Sequence, residues 1–155
     1  MMDPGEELRY LVLGAQREGN RMLADLLRPL NLTPSQAEVL HVLQNAGPLS
    51  LGDVGRRLVC ETGSPSQLLD GLVRSGLVER IPASDDRRRV ELSLTDEGRR
   101  KARAARRVEH QLHVLIEALV SPEDLSVASR VLWRFLAERP AGDALTLRRE
   151  SKSAR

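Results

Sequence analysis

Apolar residues recur at helical spacing through most of the chain. The first such segment carries apolar residues from Leu8 to Leu30, and Asp3 followed by a proline provides its cap and first turn. A second helix is predicted to begin at Thr33, where Thr33-Pro34-Ser35-Gln36 forms a capping box, and to end near Gly47. These start signals predict two helices before residue 48.

The middle of the chain combines two short helices with the only two stretches of alternating polarity. The helices are predicted from Ser50 to Leu58 and from Ser64 to Ser75, a spacing typical of a helix-turn-helix. Gly76 is expected to end the second of them as a left-handed C-cap. Residues 77–81 and 90–94 alternate apolar and polar positions, and the turn-rich segment 82–89 joins them. A helix-turn-helix followed directly by such a hairpin predicts a winged helix.

The last third of the chain returns to helical spacing. Thr95 begins a long helix to about Val120, charged in its first half and apolar in its second, and another helix follows to Glu138. The pattern then lapses, so we expect residues 139–155 to form a mostly disordered basic tail. The terminal helices carry more apolar face than a small core can cover, which favours burial against a second copy of the chain.

These elements predict a mainly α (α+β) fold: a winged helix-turn-helix core with a two-stranded wing, flanked by dimerisation helices. We assign residues 31–107 to a DNA-binding lobe and residues 1–30 and 108–138 to dimerisation.

Composition narrows the classes of protein that this fold can represent. Aromatic residues make up 2% of the chain, which argues against RNA-binding and single-strand-binding modules that stack bases on rings. One cysteine excludes a disulfide framework or a cysteine-rich zinc finger. The net charge is only +2, so a nucleic-acid surface requires clustered charge, as at residues 87–89 and 99–107. We expect a cytoplasmic protein with no membrane partner, because neither a long apolar run nor a signal peptide is evident.

Three short motifs stand out in the winged segment: Leu68-Leu69-Asp70-Gly71-Leu72, Gly76-Leu77-Val78-Glu79-Arg80, and Asp86-Arg87-Arg88 before Leu94-Thr95. Through these motifs, residues 5–138 resemble the MarR family of bacterial transcriptional regulators. It implies a homodimer that binds a pseudo-palindromic operator, with repression relieved by a ligand. Two positions depart from the family pattern: Pro65, where an aliphatic residue is more common, and Gly71, where an arginine is common.

The residues expected to bind DNA lie at the start and end of the helix over residues 64–75, which we call the recognition helix, and in the wing over residues 82–89. Gln67 can pair with adenine, and arginines at the wing can enter a minor groove. The family pattern implies that the Asp86 carboxylate orients the Arg88 guanidinium. For Thr62 and Ser64, helix capping is an equal alternative to DNA contact. The full set is Thr62, Ser64, Ser66, Gln67, Arg74, Arg87, Arg88 and Arg89.

The resemblance also implies a cleft for a small aromatic or phenolic effector, between the dimerisation helices and the DNA-binding lobe. The residues that we expect to line it are Tyr10, Arg17, Met22, Ala37 and His41.

Two sensing alternatives use the same scaffold. His110 and His113 lie one turn apart and, with Glu38, are candidate zinc ligands, although isolated helical histidines are more often structural. Cys60 lies just before the recognition helix and is either a redox-active thiol or a small core residue. We expect no bound metal and no cofactor. An enzyme is disfavoured because neither a nucleophile–base pair nor a glycine-rich phosphate loop is present.

Overall fold

The computed structural model describes residues 2–60 and 63–153. Within these ranges the chain forms seven α-helices and one two-stranded sheet, with a 3-10 turn after the first helix. In chain order the elements are α1 (Pro4–Leu27), α2 (Pro34–Ala46), α3 (Leu51–Gly55), α4 (Pro65–Arg74), β1 (Val78–Pro82), β2 (Val90–Leu94), α5 (Asp96–Leu119), α6 (Pro122–Leu136) and α7 (Pro140–Ser153).

The helices begin where their capping residues predict. At α2 the Gln36 N–H donates to Thr33 Oγ1 at 3.2 Å, and the Thr33 N–H donates to Gln36 Oε1 at 2.9 Å, which confirms the capping box. Thr95 caps α5, and Ser121 caps α6 by accepting the N–H of Asp124. Local sequence therefore determines these starts.

The predicted wing is confirmed as an antiparallel hairpin. Val78 pairs with Leu94 and Pro82 with Val90, so β1 begins one residue later than its alternation suggested. Leu49, in the segment between α2 and α3, forms a β-bridge to Leu92 through hydrogen bonds of 3.1 and 2.8 Å. Leu49 therefore lies beside β2 like a very short third strand and connects the wing to the segment between α2 and α3.

The hydrophobic core lies in the lobe and is centred on α2, which buries six residues. The largest fully buried side chains are Leu27, Leu40, Leu69, Leu72, Val39, Val54 and Val78. Leu69 and Leu72 anchor α4, and Val78 anchors β1, so the elements around the candidate interface share one core.

The terminal helices differ from the lobe because they leave large apolar side chains exposed to solvent. α6 contains no buried residue, although apolar side chains recur along one face of it. Leu119 in α5 is 75% exposed and Phe135 in α6 is 65% exposed. A large apolar face open to solvent is typical of a protein–protein contact surface.

The prediction of a disordered tail over residues 139–155 is wrong for residues 140–153, which form α7. Ala144 on this helix is buried, and α7 packs against α2 and α6. Gly142 is also buried: a Cβ there would lie 2.2 Å from the Leu136 carbonyl oxygen, so the missing side chain allows α7 to approach α6. A glycine that resembled a loop signal is thus required for close helix packing.

Candidate nucleic-acid interface

The recognition helix α4 has one buried face and one open face. Leu69 and Leu72 lie in the core, whereas the side chains of Ser66, Gln67 and Arg74 are exposed. Two of the exposed side chains lie in the first turn, where short polar residues allow the backbone to approach a DNA groove. This is the arrangement that reading of base edges in a major groove requires.

The hydrogen bonds at the start of α4 define the role of Ser64. Ser64 is the N-cap of α4, and its Oγ accepts the N–H of Gln67 at 3.4 Å and lies 2.8 Å from Ser66 Oγ. Ser64 therefore has a capping role in the free protein. Its contact with DNA stays a prediction, and Thr62 lies outside the described residues.

The tip of the wing carries three exposed arginines with different partners. Arg89 Nη1 lies 2.8 Å from Asp85 Oδ2, and the Asp86 carboxylate accepts the backbone N–H of Arg88 at 3.0 Å. The expected ion pair between Asp86 and the Arg88 guanidinium is therefore wrong: Asp86 shapes the turn, while the ion pair joins Asp85 and Arg89. Arg87 and Arg88 project from an ordered turn as exposed cations.

The recognition helix and the wing are joined to each other directly. Asp70 of α4 forms an ion pair with Arg80 of β1. At the base of the wing, Thr95 Oγ1 donates to the Gly76 carbonyl oxygen at 2.6 Å, and Gly76 has the predicted left-handed conformation, with φ of 73°. These contacts hold α4 and the hairpin in one relative orientation.

Arg56 and Arg57 place further positive charge at the end of α3. The hydroxyl of Ser50, 2.5 Å from Asp53, lowers the pKa of the Asp53 carboxyl, and the charges of Arg56, Arg57 and Arg89 lower it further against the opposing effect of burial. Asp53 thus stays ionised and positions Arg56 beside it. The charge of the wing residue Arg89 therefore contributes to the lowered pKa of Asp53 in α3.

The five residues expected to line an effector cleft do not lie together. Ala37 is fully buried in the core, and Tyr10 is exposed on α1 with the Arg9 guanidinium 4.1 Å from its ring centre. Arg17 and Met22 are exposed on the same helix. His41 lines a cleft between α2 and the C-terminal helices, and Met22 lines a second cleft between α1 and α5. The role of these residues in holding an effector stays a prediction.

The candidates for redox and zinc sensing have other environments. Burial, followed by the hydrogen bond and charge of Glu38, raises the pKa of the Cys60 thiol to about 11, opposite to the lowered pKa of reactive thiols. The rings of His110 and His113 pack edge to face with centres 6.3 Å apart. Over the residues 2–60 and 63–153, no group of three or more His, Cys, Asp or Glu side chains is arranged to hold a metal ion.

Glu38 has a structural role that sequence reasoning missed. Its carboxylate accepts the backbone N–H of Val59 at 2.7 Å and of Cys60 at 2.9 Å, and it pairs with Arg148 of α7 at 2.6 Å. The partner was missed because Arg148 was assigned to a disordered tail. The signal that was available is the apolar spacing of Ala141, Ala144 and Leu145 after a proline suited to a first helical turn.

Comparison with known proteins identifies the lobe. A family model for a winged helix DNA-binding domain matches residues 32–98. The multiple antibiotic resistance protein MarR of Salmonella typhimurium is 31% identical over 91 residues, which cover 59% of this chain and 63% of that protein. The uncharacterized HTH-type transcriptional regulator YfiV of Bacillus subtilis is 31% identical over 110 residues, covering 66% of this chain and 69% of that protein.

A solved structure agrees over a longer stretch. The crystal structure of a mutant MarR from E. coli complexed with operator DNA has a TM-score of 0.76 and 26% identity, and the match covers 87% of this chain and 99% of that chain. The fold and the exposed face of α4 define the class of winged helix DNA-binding proteins. The chain belongs to the MarR family of transcriptional regulators. Within the described residues, no helix is long and apolar enough to cross a membrane.

Proposed function

We propose that this chain is a homodimeric transcriptional regulator that binds duplex DNA through α4 and the wing. The observation that carries the proposal is the exposed polar face of α4, with Ser66, Gln67 and Arg74, beside a wing that presents Arg87 and Arg88. A helix of this kind reads bases in a major groove, while arginines enter the adjacent minor groove. The operator-bound MarR relative supports the same use of the fold.

Dimerisation is supported by the open apolar faces of the terminal helices. Leu119 and Phe135 are among the most exposed large apolar side chains, and α6 buries nothing within one chain. A stable interface buries about 1,600 Å² in total, which requires helices of this length from both partners. Two-fold symmetry then places one recognition helix in each of two successive major grooves, about 34 Å apart, so the operator is pseudo-palindromic.

The proposed mode of regulation is repression relieved by a ligand. A ligand changes DNA affinity only if it binds the DNA-competent and the DNA-incompetent forms with different affinities. The cleft beside His41 lies between α2 of the lobe and the C-terminal helices, so a molecule bound there contacts both parts of the chain. This location favours an effect on how the lobe is held.

The test is binding to a duplex taken from the region upstream of the chain's own coding sequence, measured by fluorescence anisotropy at several salt concentrations. We expect salt-dependent binding, with Arg88→Ala weakening it by about tenfold, as loss of a groove contact costs about 1–3 kcal/mol. Arg130→Ala is the matched control, because Arg130 is an exposed arginine whose one hydrogen bond, among the residues that the structure describes, goes to Ser126 of its own helix. Unchanged affinity in Arg88→Ala would refute the role of the wing. A wild-type chain with no duplex binding would refute the proposal itself.

A further inference from the structure

Two consecutive arginines of α7 attach this helix to different parts of the chain. Arg148 Nη1 lies 2.6 Å from Glu38 Oε1 of α2, and the Arg149 guanidinium lies 4.1 Å from the ring centre of Trp133 in α6. The second contact has the geometry of a cation–π interaction. Ala144 is buried where α7 packs against these two helices. The helix α7 is therefore fixed to the winged lobe and to a terminal helix at the same time.

The carboxylate of Glu38 makes a second set of contacts, to the turn between α3 and α4. It accepts the N–H of Val59 at 2.7 Å and the N–H of Cys60 at 2.9 Å. The recognition helix begins shortly after this turn, with Ser64 as its N-cap. Val59 is exposed, so burial of its own side chain contributes little to holding the turn. The position of the turn thus depends on the Glu38 carboxylate.

Arg148 stabilises this carboxylate in its position. The Glu38 side chain is only 12% exposed. A carboxylate removed from water is stable when hydrogen-bond donors and a positive charge surround it, and Arg148 supplies that charge. Without the guanidinium, the carboxylate regains hydration by turning outward, and it then releases the two N–H groups of the turn.

We propose that Arg148 is a positioning residue for the recognition helix: it holds Glu38, and Glu38 holds the turn, in the arrangement in which α4 reads DNA. The inference rests on the proposed function, because the arrangement that it describes is the DNA-reading one. It goes beyond that function by giving α7 a part in DNA binding, although the residues proposed to read DNA lie on α4 and the wing.

The first experiment measures amide hydrogen exchange by NMR in the free protein, for wild type and Arg148→Gln. We expect exchange of the Val59 and Cys60 N–H groups to become about tenfold faster, because the turn opens locally. The Leu92 N–H donates to the Leu49 carbonyl oxygen at 2.8 Å, so it reports on opening of the lobe elsewhere and should be unchanged. Equal acceleration at all three amides, or none at Val59 and Cys60, would overturn the proposal.

The second experiment measures binding to the duplex from the chain's own upstream region. Arg148→Gln is expected to weaken binding about tenfold, the size of effect seen when a residue acts on a site through intervening contacts. Arg130→Gln is the control for loss of one positive charge, because Arg130 is an exposed α6 arginine that bonds Ser126. It should bind as wild type. Equal losses in the two variants would reduce the effect to net charge and contradict the positioning role.

Glu38→Gln separates positioning from direct contact of Arg148 with DNA. The amide has one acceptor oxygen for two N–H groups, so the turn loosens and duplex binding is expected to weaken severalfold. If Arg148 instead contacted a phosphate, removal of the competing Glu38 charge would tighten binding, and that result would overturn the proposal. The double variant should lose no more affinity than the weaker single variant, because both residues act through one chain of contacts. Losses that multiply would show independent roles and overturn it as well.

Two further variants guard against a folding defect. Arg148→Lys retains a positive charge beside Glu38 and is expected to bind the duplex nearly as wild type, whereas a loss equal to that of Arg148→Gln would contradict the proposal. Gly142→Ala leaves both partners unchanged but places a Cβ 2.2 Å from the Leu136 carbonyl oxygen, so α7 has to shift away from α6. It is expected to speed exchange in the turn and to weaken duplex binding. If circular dichroism shows that Arg148→Gln is unfolded, Gly142→Ala replaces it, and wild-type behaviour there would overturn the proposal.

The exchange experiment requires no DNA, so the two proposals fail separately. A wild-type chain that binds no duplex contradicts the proposed function. Duplex binding with equal affinity in wild type and Arg148→Gln contradicts only the positioning role of Arg148.

Discussion

Helix α2 of the winged lobe and helix α6 of the terminal helices have similar proportions of apolar residues but reach opposite degrees of burial. α2 buries six residues in the lobe, whereas α6 buries none within one chain. The lobe closes its core around Leu40 and Leu72, while the apolar face of α6 is open within one chain and is covered by a second molecule only in the proposed dimer. The difference indicates that folding of the lobe and assembly of the dimer rest on separate sets of side chains.

The largest expected effect tests the lobe. Leu40→Ala removes a fully buried side chain from the centre of α2 and is expected to lower the free energy of unfolding by about 2–5 kcal/mol, since it leaves a cavity. Urea denaturation measures this loss. Val90→Ala, at an exposed position of β2, is the control and should cost less than about 1 kcal/mol. Equal losses would contradict the location of the core.

The second prediction tests the terminal helices. Phe135→Ala is expected to weaken dimerisation by about 2 kcal/mol, or roughly 30-fold in the dissociation constant, because Phe135 is open in one chain and covered in the proposed dimer. Sedimentation equilibrium measures the constant. Arg130→Ala, on α6 but hydrogen-bonded to Ser126, should leave it unchanged. A wild-type chain that is monomeric at micromolar concentration would disprove the proposed dimer.

A smaller effect is expected at the capping box of α2. Thr33→Ala removes the side-chain acceptor of the Gln36 N–H and is expected to destabilise the lobe by about 1 kcal/mol. Thermal unfolding monitored by circular dichroism measures the change. Thr33→Ser retains the hydroxyl and should behave almost as wild type. The capping role is wrong if Ser and Ala substitutions are equally costly.

The smallest effect is a pH dependence at Asp53. The Ser50 hydroxyl and neighbouring arginines lower the pKa of Asp53, so its ionised form stabilises the folded lobe above the ordinary aspartate pKa of about 3.9. This contribution is lost as the pH falls through the lowered pKa of the folded state. Asp53→Asn should therefore reduce the loss of stability on acidification below about pH 4, measured by urea denaturation between pH 3 and about 7. An identical acid dependence in both proteins would exclude a contribution from Asp53.

Local signals predicted the fold well because each acts within a few residues. The capping box at Thr33, the left-handed Gly76 and the alternation in residues 90–94 all need only their neighbours in sequence, and all three are confirmed. The wing was likewise predictable as a hairpin from its alternating strands, although β1 begins one residue later than the alternation suggested.

Features that depend on tertiary geometry were not predictable in the same way. In the wing, the turn geometry selects Asp85 over Asp86 as the source of the ion pair, although both are adjacent acids. The pairing of Glu38 with Arg148 joins residues 110 positions apart. It requires a helix that only packing against α2 reveals. The internal connections of the candidate site were thus not predictable, whereas the exposed polar positions at the start of α4 were; their contact with DNA stays a prediction.

The contacts that join α4 to the wing have a consequence for the kinds of operator that the proposed dimer accepts. The Asp70–Arg80 ion pair joins α4 to β1, and the Leu49–Leu92 bridge joins β2 to the segment before α3, so both contacts favour a fixed distance between the recognition helix and the arginines of the hairpin. In the proposed dimer, we therefore expect a change of spacing inside one half-site to weaken DNA binding strongly. We expect a change of spacing between the two half-sites to weaken it less, because the contact between the two chains can adjust.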